Sequence, residues 1–266
     1  MYSGRALVMG VLNVTPDSFS DGGLWLDPTA AVARGVQMAE EGADLIDVGG
    51  ESTRPGSESL AVEKELKRVI PVIERLAKRV RIPICVDTSK AEVAHQALKA
   101  GASIVNDVTA LRDPAMPAVI AQHRAAVILM HMRGNPRTMQ RQPRYHDVVI
   151  EVVEFLSAAA EHAQGAGIER TRILLDPGLG FGKTVTHNLE LLRRLRELVS
   201  LGYPVVIGPS RKSFIGNTLN VGVEDRLAGT LACVAQAQRC GAHIVRVHDV
   251  RPTVQLVGML EAIETS

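Results

Sequence analysis

The stretch GADLIDVGG, residues 42–50, decides the fold that the sequence predicts. A helix-like segment ends at Gly42, a short apolar run from Asp44 to Val48 follows, and two glycines come after that run. Glycine is common just past a helix because it lacks the Cβ that clashes in left-handed backbone. A short run rich in Val, Ile and Leu, with weak alternation, is typical of a parallel strand covered on both faces.

This helix–glycine–strand pattern occurs five times, at Gly42, Gly101, Gly167, Gly202 and Gly241, and three further apolar runs bring the number of strand–helix units to eight, with no linker between them. The apolar runs are Ala6 to Leu12, Asp44 to Val48, Ile82 to Val86, Ser103 to Val105, Ala126 to Met130, Arg172 to Leu175, Tyr203 to Ile207 and His243 to Val247. Asp27-Pro28 and Asp113-Pro114 resemble an N-cap followed by a first-turn proline. Eight such units in about 250 residues predict an α/β fold, a single-domain (β/α)8 TIM barrel over 1–266. The alternative is a doubly wound open sheet.

Composition excludes several classes of protein. The chain has 266 residues, a net charge of +1 and 46% hydrophobic residues, and only 3% of its residues are aromatic. A general nucleic-acid binder needs a basic excess, and a disordered chain is less apolar. No apolar run reaches the ~18 residues of a membrane span. We therefore expect neither a nucleic-acid nor a membrane partner.

Three cysteines, Cys85, Cys233 and Cys240, show no CxxC spacing, so neither a disulfide framework nor a zinc site is expected. The N-terminal residues lack the pattern of a signal peptide. Both observations favour a cytoplasmic protein.

Every apolar run ends in residues that can form hydrogen bonds or carry charge. In a barrel these carboxyl ends meet at one opening, called the mouth below, where catalytic groups lie. Taken one at a time, such residues more often form turns than bind ligands, and Asp107 fits a turn-forming role. For His131, a buried structural histidine and a functional one are equally expected. Arg211 fits an exposed or structural charge. The strand-end groups are Asn13, Glu51, Asp87, Asn106, His131, Asp176, Lys212 and His248.

The types of these residues suggest the ligand. Lys212, Arg246, His248 and Arg54 are basic and suit an anion such as pyrophosphate. Buried Asp and Asn side chains suit a planar heterocycle with amino and amide edges. Mg²⁺ is compatible because it needs only one or two protein oxygens besides a diphosphate.

The chain resembles the dihydropteroate synthase family in eight segments that occur in the family's order. These are Met9 to Gly23 (MGVLNVTPDSFSDGG), Gly42 to Gly56 (GADLIDVGGESTRPG), Val86 to Lys90 (VDTSK), Val105 to Val108 (VNDV), Met130 to Gln140 (MHMRGNPRTMQ), Asp176 to Thr184 (DPGLGFGKT), Ser210 to Gly216 (SRKSFIG) and Arg246 to Val250 (RVHDV). The resemblance implies a Mg²⁺-assisted condensation of dihydropterin hydroxymethyl diphosphate with 4-aminobenzoate, giving 7,8-dihydropteroate and pyrophosphate by an SN1-like displacement.

The resemblance also implies roles for individual residues, and it implies a homodimer that sulfonamides inhibit. The residues expected to act in catalysis are Asp87, Asp176, Lys212, Arg246 and His248. Those expected to bind the pterin or its diphosphate are Thr53, Asp87, Asn106, Asp176, Lys212, Arg246, the backbone near Val247, and His248. Those expected at the aminobenzoate pocket are Phe19, Arg54, Pro55, Phe181 and Ser210. Asn13 is expected to ligate Mg²⁺.

Two other functions remain open from the sequence. A pterin-binding methyl carrier, like the barrel domains of corrinoid methyltransferases, shares the barrel and some Asp and Asn residues. A non-catalytic paralogue would bind pterin without turnover. The long first loop and the STRPG and SRKSF segments favour the synthase over the methyl carrier.

Overall fold

The computed structural model describes residues 4–15, 28–52, 60–135, 138–140 and 142–266, and within them the chain alternates strands and helices. The strands match the predicted apolar runs in order and number. They are β1 (Leu7–Asn13), β2 (Leu45–Gly49), β3 (Ile84–Asp87), β4 (Ile104–Asp107), β5 (Ala126–Met130), β6 (Ile173–Asp176), β7 (Val206–Ile207) and β8 (Ile244–Val247).

The eight strands form one parallel sheet that curls into a barrel. Its hydrogen-bonded order is β6-β5-β4-β3-β2-β1-β8-β7. The two ends of this order meet through a parallel bridge between Leu175 and Val205, where the Leu175 N–H donates to the Pro204 carbonyl at 2.9 Å. The prediction of a (β/α)8 barrel is therefore confirmed, and the open-sheet alternative is wrong.

Helices cover the outside of the barrel between the strands. In the described part of the chain they are α1 (Pro28–Glu40), α2 (Val62–Leu76), α3 (Ala91–Ala100), α4 (Met116–His123), α5 (Val148–Gly165), α6 (Val185–Arg193), α7 (Leu195–Val199), α8 (Ser213–Leu219), α9 (Leu227–Arg239) and α10 (Val250–Thr265). The segment after β6 divides into α6 and α7 at Arg194, whose ψ of 21° departs from helical geometry.

Strand alternation sorts the side chains into an outer core and two inner layers. Outward residues such as Val8, Ile46 and Val247 pack in the main cluster that includes the helices. Inward residues near the amino ends form an apolar plug, defined as Met9, Leu45, Cys85, Ile128, Leu174, Val206 and Ile244. Two residues further along their strands stand the inward residues of the polar layer, defined as Asp47, Asp87, Asn106, Asp176 and Arg246.

Two local predictions need correction. Asp113 does not cap a helix that Pro114 opens, because α4 begins at Met116 with Ala115 in the N-cap position. The Asp113 carboxylate accepts from the Ala115 N–H at 3.0 Å, before α4, and from the Ala91 N–H at the start of α3 at 2.9 Å. Asp27, the other predicted N-cap, lies outside the described residues. Strand β7 is shorter than predicted because Pro204 has no N–H and the Val205 N–H donates to His243 Nδ1 at 3.1 Å.

All three cysteines are free thiols, and Cys85 is fully buried in the apolar plug. Among the described residues, no helix combines the length and the apolar character that crossing a lipid bilayer requires.

Candidate active site

Arg246 connects the members of the polar layer. Its Nε donates to Asp47 Oδ2 at 2.5 Å, and its Nη2 donates to Asp87 Oδ2 at 2.7 Å. Asn106 Nδ2 donates to the same Asp47 oxygen at 3.2 Å. Four strands, β2, β3, β4 and β8, therefore contribute to one hydrogen-bonded group at the centre of the barrel.

Burial and charge together set the protonation of this layer. Burial raises the pKa of Asp87 to about 7, although Arg246 opposes the shift. Burial also raises the pKa of Asp176, against the effect of Lys212. For Arg246, burial would lower the pKa, but the carboxylates of Asp47 and Asp87 outweigh it and raise the pKa. The guanidinium is therefore charged at every pH at which the protein is folded.

Two acceptor atoms of the polar layer lack a hydrogen-bond partner among the described residues. They are Asp47 Oδ1 and Asn106 Oδ1, and both are buried. An unsatisfied buried acceptor is unfavourable by about 1–3 kcal/mol, and it calls for an explanation. A ligand that carries N–H groups into the barrel would supply the missing donors.

Lys212 and Asp176 lie on either side of a glycine-rich turn, residues 178–182, that follows β6. Lys212 Nζ donates to the Leu179 carbonyl and lies 4.7 Å from the centre of the Phe181 ring. Asp176 Oδ1 accepts from the Gly178 N–H at 2.7 Å. Burial lowers the pKa of Lys212 to about 8, although Asp176 opposes the shift.

A second polar group lies at the mouth, beside the polar layer. His248 donates its backbone N–H to Ser210 Oγ at 3.1 Å, and its ring Nδ1 lies 2.9 Å from the same oxygen. Asn13 Nδ2 is 3.4 Å from His248 Nε2. Ser210 thus fixes the imidazole from one side, while the carboxyl ends of β1 and β8 bring Asn13 to the other.

The residues near Asn13 fit the binding of one hard cation. Its amide nitrogen pairs with His248, which leaves Oδ1 as the atom for a metal. A Cβ built on Gly49 would lie 3.9 Å from that oxygen and 3.5 Å from Asp87 Cβ, so the glycine keeps the space between them open. The described residues contain no group of three or more His, Cys, Asp or Glu side chains suited to a metal. Mg²⁺ shared with a diphosphate needs no such group.

The structure brings most of the predicted site residues together. Asp87, Asn106, Asp176, Lys212 and Arg246 surround the inner space, and Asn13, Ser210 and His248 meet at the mouth. The Val247 side chain faces the outer core, so the backbone is the only part of this residue near the mouth. Phe181 lies against Lys212 and the cluster of Val108, Met130, Met132 and Met139. Phe19, Thr53, Arg54 and Pro55 lie outside the described residues.

Asp107 and Arg211 take the structural roles predicted for them, and His131 is buried against a lysine. Asp107 accepts from the backbone N–H groups of Thr109 and Leu111, both at 2.8 Å, as a turn former does. Arg211 donates to both carboxylate oxygens of Asp249, at 2.9 and 2.8 Å. His131 is 6% exposed, and its Nδ1 lies 2.9 Å from Lys183 Nζ.

Sequence reasoning missed Asp47. This residue lies inside the second apolar run, so it was assigned to a strand and not to the site. Its inward phase, two residues after Leu45 and two before Gly49, is the signal that could have identified it.

Comparison with known proteins places the chain in a family. The family model described as "Pterin binding enzyme" matches residues 9–248. The dihydropteroate synthase of Escherichia coli strain K12 is 50% identical over 255 residues, which are 96% of this chain and 90% of that protein.

Solved structures agree with the sequence comparison. The Xanthomonas albilineans dihydropteroate synthase with 4-aminobenzoic acid superposes with a TM-score of 0.94 at 49% identity, covering 98% of this chain and 94% of that one. The Yersinia pestis dihydropteroate synthase in a sulfonamide drug complex gives a TM-score of 0.94 at 44% identity, covering 98% and 95%. With the barrel, the polar layer and these relatives in agreement, the chain belongs to the dihydropteroate synthase family of pterin-binding enzymes.

Proposed function

We propose that this protein condenses dihydropterin hydroxymethyl diphosphate with 4-aminobenzoate, giving 7,8-dihydropteroate and pyrophosphate. The observation that carries the proposal is the polar layer, which presents above an apolar plug two buried acceptors that no described residue pairs with. A pterin has an amino group and ring N–H groups along one edge and a carbonyl beside them. Its hydrogen-bonding edge therefore complements a site of carboxylates, an amide and an ammonium.

Four side chains would seat the pterin. Asp87, Asn106 and Asp176 offer oxygens to its amino and N–H groups, and Lys212 offers an ammonium to its carbonyl. Each of these residues is at the carboxyl end of a strand or just after one, so the rigid barrel sets their spacing. Such preorganisation avoids the ordering of flexible groups when the substrate binds.

The diphosphate would extend toward the mouth. Arg246 uses Nε and Nη2 for Asp47 and Asp87, so its Nη1 edge is the part available to a phosphate oxygen. His248 and Thr53 would add donors, and Asn13 would hold Mg²⁺. Magnesium bound there would offset the charge of the departing pyrophosphate.

The chemistry is a displacement in which bond breaking leads. The C–O bond between the exocyclic methylene and the diphosphate breaks, and its electron pair leaves with pyrophosphate. The positive charge that develops on the pterin methylene is stabilised by the Asp87 and Asp176 carboxylates. The aromatic amine of 4-aminobenzoate then forms the C–N bond and releases a proton. No enzyme nucleophile is needed.

The aminobenzoate would bind nearer the mouth than the pterin. Phe181 supplies a ring beside Lys212, and Ser210 supplies a hydroxyl beside His248. Phe19, Arg54 and Pro55 complete the proposed pocket from the first two loops. Because sulfonamides mimic aminobenzoate, a saturating sulfonamide should abolish turnover, and catalysis that persisted under saturation would contradict this pocket.

The proposal extends to the state of the protein in the cell. We expect a homodimer located in the cytoplasm, in line with the family resemblance and the three free thiols. Sedimentation at micromolar concentration would test the dimer, and fractionation of cells would test the location.

A pyrophosphate-release assay with both substrates separates the three candidate functions. Release that depends on 4-aminobenzoate supports the synthase. Pterin binding without release identifies a non-catalytic paralogue. Transfer of a methyl group from a methylated pterin, without pyrophosphate, identifies a methyl carrier.

A further inference from the structure

Every carbonyl of the turn 178–182 accepts a hydrogen bond from a side chain, which is unusual for a loop. Lys183 Nζ donates to Gly178 O at 2.9 Å and to Phe181 O at 3.0 Å. Lys212 Nζ donates to Leu179 O between them. The remaining two carbonyls, of Gly180 and Gly182, accept from Gln140 Nε2 at 2.6 Å and from the Tyr145 hydroxyl at 2.8 Å.

The glycines of this turn adopt backbone that other residues disfavour. Gly178, Gly180 and Gly182 have φ values of +66°, +80° and +63°. A Cβ on Gly178 would lie 2.0 Å from the His131 carbonyl, and one on Gly180 would lie 3.1 Å from Lys212 Cδ. The turn therefore packs against β5 on its inner side and against Lys212 on its outer side, and it has little freedom to shift.

Lys183 lies beneath this turn, away from the substrate space. It is 3% exposed, and its third short contact is with His131 Nδ1 at 2.9 Å. Burial lowers the pKa of His131 to about 3, so the imidazole is neutral and its Nδ1 can accept. Burial lowers the pKa of Lys183, although Asp176 opposes the shift. In its protonated form the three donors of the ammonium have three acceptors within 3.0 Å, two of them turn carbonyls.

Resting on the function proposed above, we propose that Lys183 is a positioning residue, which fixes the turn so that the Leu179 carbonyl meets Lys212. Two lysines donate hydrogen bonds to carbonyls of the same turn, Lys183 from its buried side and Lys212 from the substrate side. Without the inner lysine, the Phe181 carbonyl would lose its side-chain donor and the Gly178 carbonyl would keep only the Phe181 N–H, at 3.1 Å, so the turn would shift toward water. Lys212 would then lose its acceptor and its alignment with the pterin.

The test compares Lys183→Met with a matched control, Gln238→Met. Gln238 is also buried and polar, but it lies on α9 and faces α10, where its Nε2 donates to the Val257 carbonyl at 3.4 Å. Both variants should unfold at a lower temperature. Binding of pterin diphosphate, measured by calorimetry on the folded protein, should weaken about tenfold or more in Lys183→Met, as expected for about one lost hydrogen bond to a charged group. Gln238→Met should bind as the wild type does.

The pH dependence of pterin binding is a readout that lost stability alone would not change. Lys212 must be protonated to present a charged donor, and the charged groups facing it are Asp176 on β6, Asp87 on β3, Arg246 on β8 and, across the turn, Lys183. Loss of the Leu179 acceptor should lower the pKa of Lys212, whereas loss of the Lys183 charge would raise it, so the readout uses Tyr145→Phe, which loosens the turn at Gly182 without removing a cation. The decline of affinity at alkaline pH should begin at lower pH in Tyr145→Phe than in the wild type.

Two results would overturn the proposal. One is a Lys183→Met protein that is less stable but keeps the wild-type pterin affinity. The other applies if that variant does not fold: Tyr145→Phe, which removes the side-chain donor of the Gly182 carbonyl, should then weaken pterin binding about threefold, and unchanged affinity and alkaline decline would contradict a role for the turn. Calorimetry needs no turnover, so a wild-type protein that binds pterin but releases no pyrophosphate would reject the proposed function alone.

Discussion

Asp176 lies at the carboxyl end of β6, where its Oδ1 accepts from the Gly178 N–H at 2.7 Å. Asp176→Asn keeps the size of the side chain and an oxygen for that bond, but it removes the charge that would face the pterin. We expect pterin affinity to fall about tenfold or more, while the free energy of unfolding changes by less than about 1 kcal/mol. Calorimetric titration with pterin diphosphate and urea unfolding would measure the two effects.

The matched control for this change is Asp107→Asn. Asp107 is a fully buried carboxylate at the end of β4, two strands from β6 in the sheet, and it accepts hydrogen bonds from the turn that follows and not from the polar layer. Its variant should lose stability and keep pterin affinity. Equal pterin affinity in Asp176→Asn and the wild type would refute the binding role of Asp176.

His131 links the stability of the protein to acid pH. Its pKa is about 3 in the folded protein and ordinarily 6.5, because burial disfavours the charged ring. The unfolded chain therefore binds the extra proton first, and this group's contribution to stability is present above pH 6.5 and declines as the pH falls toward 3. Within that window the decline approaches about 1.4 kcal/mol per pH unit.

His131→Gln should remove that part of the acid sensitivity, because glutamine can accept from Lys183 without titrating. The measurement is the urea midpoint at pH 7.5 and pH 5.5. The control is His162→Gln, an exposed histidine on α5, which should keep the wild-type difference. An unchanged pH dependence in His131→Gln would show that the ring is already charged or exposed.

At the residue scale, the sequence predicted the groups that end strands, because the barrel fold itself directs those positions to one opening. Asp87, Asn106, Asp176, Lys212 and His248 were identified in this way. Asp47 and Lys183 were not predicted, for a physical reason. The role of each depends on contacts between distant strands or turns, such as Asp47 with Arg246, which spacing along the chain does not encode.

At the scale of single elements, two glycines should respond oppositely to the same change. Gly258 lies within α10, and a Cβ there meets nothing within 4 Å, so Gly258→Ala should raise the free energy of unfolding by about 0.5–1 kcal/mol. Gly180 has a φ of +80°, so Gly180→Ala should lower it by about 1–2 kcal/mol. Urea unfolding of both variants beside the wild type would check the signs.

Pterin binding gives the element-scale prediction a second readout. The Gly180→Ala methyl would press on Lys212 and weaken pterin affinity, whereas Gly258→Ala is remote and should leave affinity unchanged. A stabilised Gly180→Ala variant would contradict the turn geometry described here.

The elements themselves were predictable to different degrees. Strands were found because glycine and an apolar run recur together, which is a local signal. The start of α4 was misplaced because Asp113-Pro114 has the local chemistry of a cap, while the carboxylate is used by α3 across the surface. Strand β7 is shortened by Pro204, which lacks an N–H, and by His243, which accepts the Val205 N–H. The contact with His243 joins distant parts of the chain, so the local sequence does not predict it.

At the scale of the whole molecule, the barrel has a seam, defined as the junction of β6 with the β7 segment, where the strands share few hydrogen bonds. Strands β1 and β2 pair through five residues each, whereas the described contact between β6 and β7 is the bridge of Leu175 with Val205. Fewer ladder hydrogen bonds mean a lower local free energy of opening. Amide hydrogen exchange should therefore be faster at 173–177 and 203–208 than at 7–13 and 45–49, and equal rates would contradict the seam.

Substrate should protect that seam more than other parts of the barrel. Asp176 precedes it on β6 and Lys212 follows it after β7, so a pterin that contacts both would bridge the two sides. Exchange measured with and without pterin diphosphate should slow most in these two segments. Protection spread evenly over all strands would indicate a different binding position.

The apolar plug has a consequence for the passage of molecules through the barrel. Because Met9, Ile128 and Ile244 fill the amino-end half, the inner space is closed at that end. Reactants and products must therefore enter and leave by the same opening. A molecule bound against the plug cannot dissociate while a second molecule is bound between it and the open end. An inhibitor bound at the open end would therefore do more than displace the aminobenzoate. It would also slow the dissociation of a pterin bound beneath it.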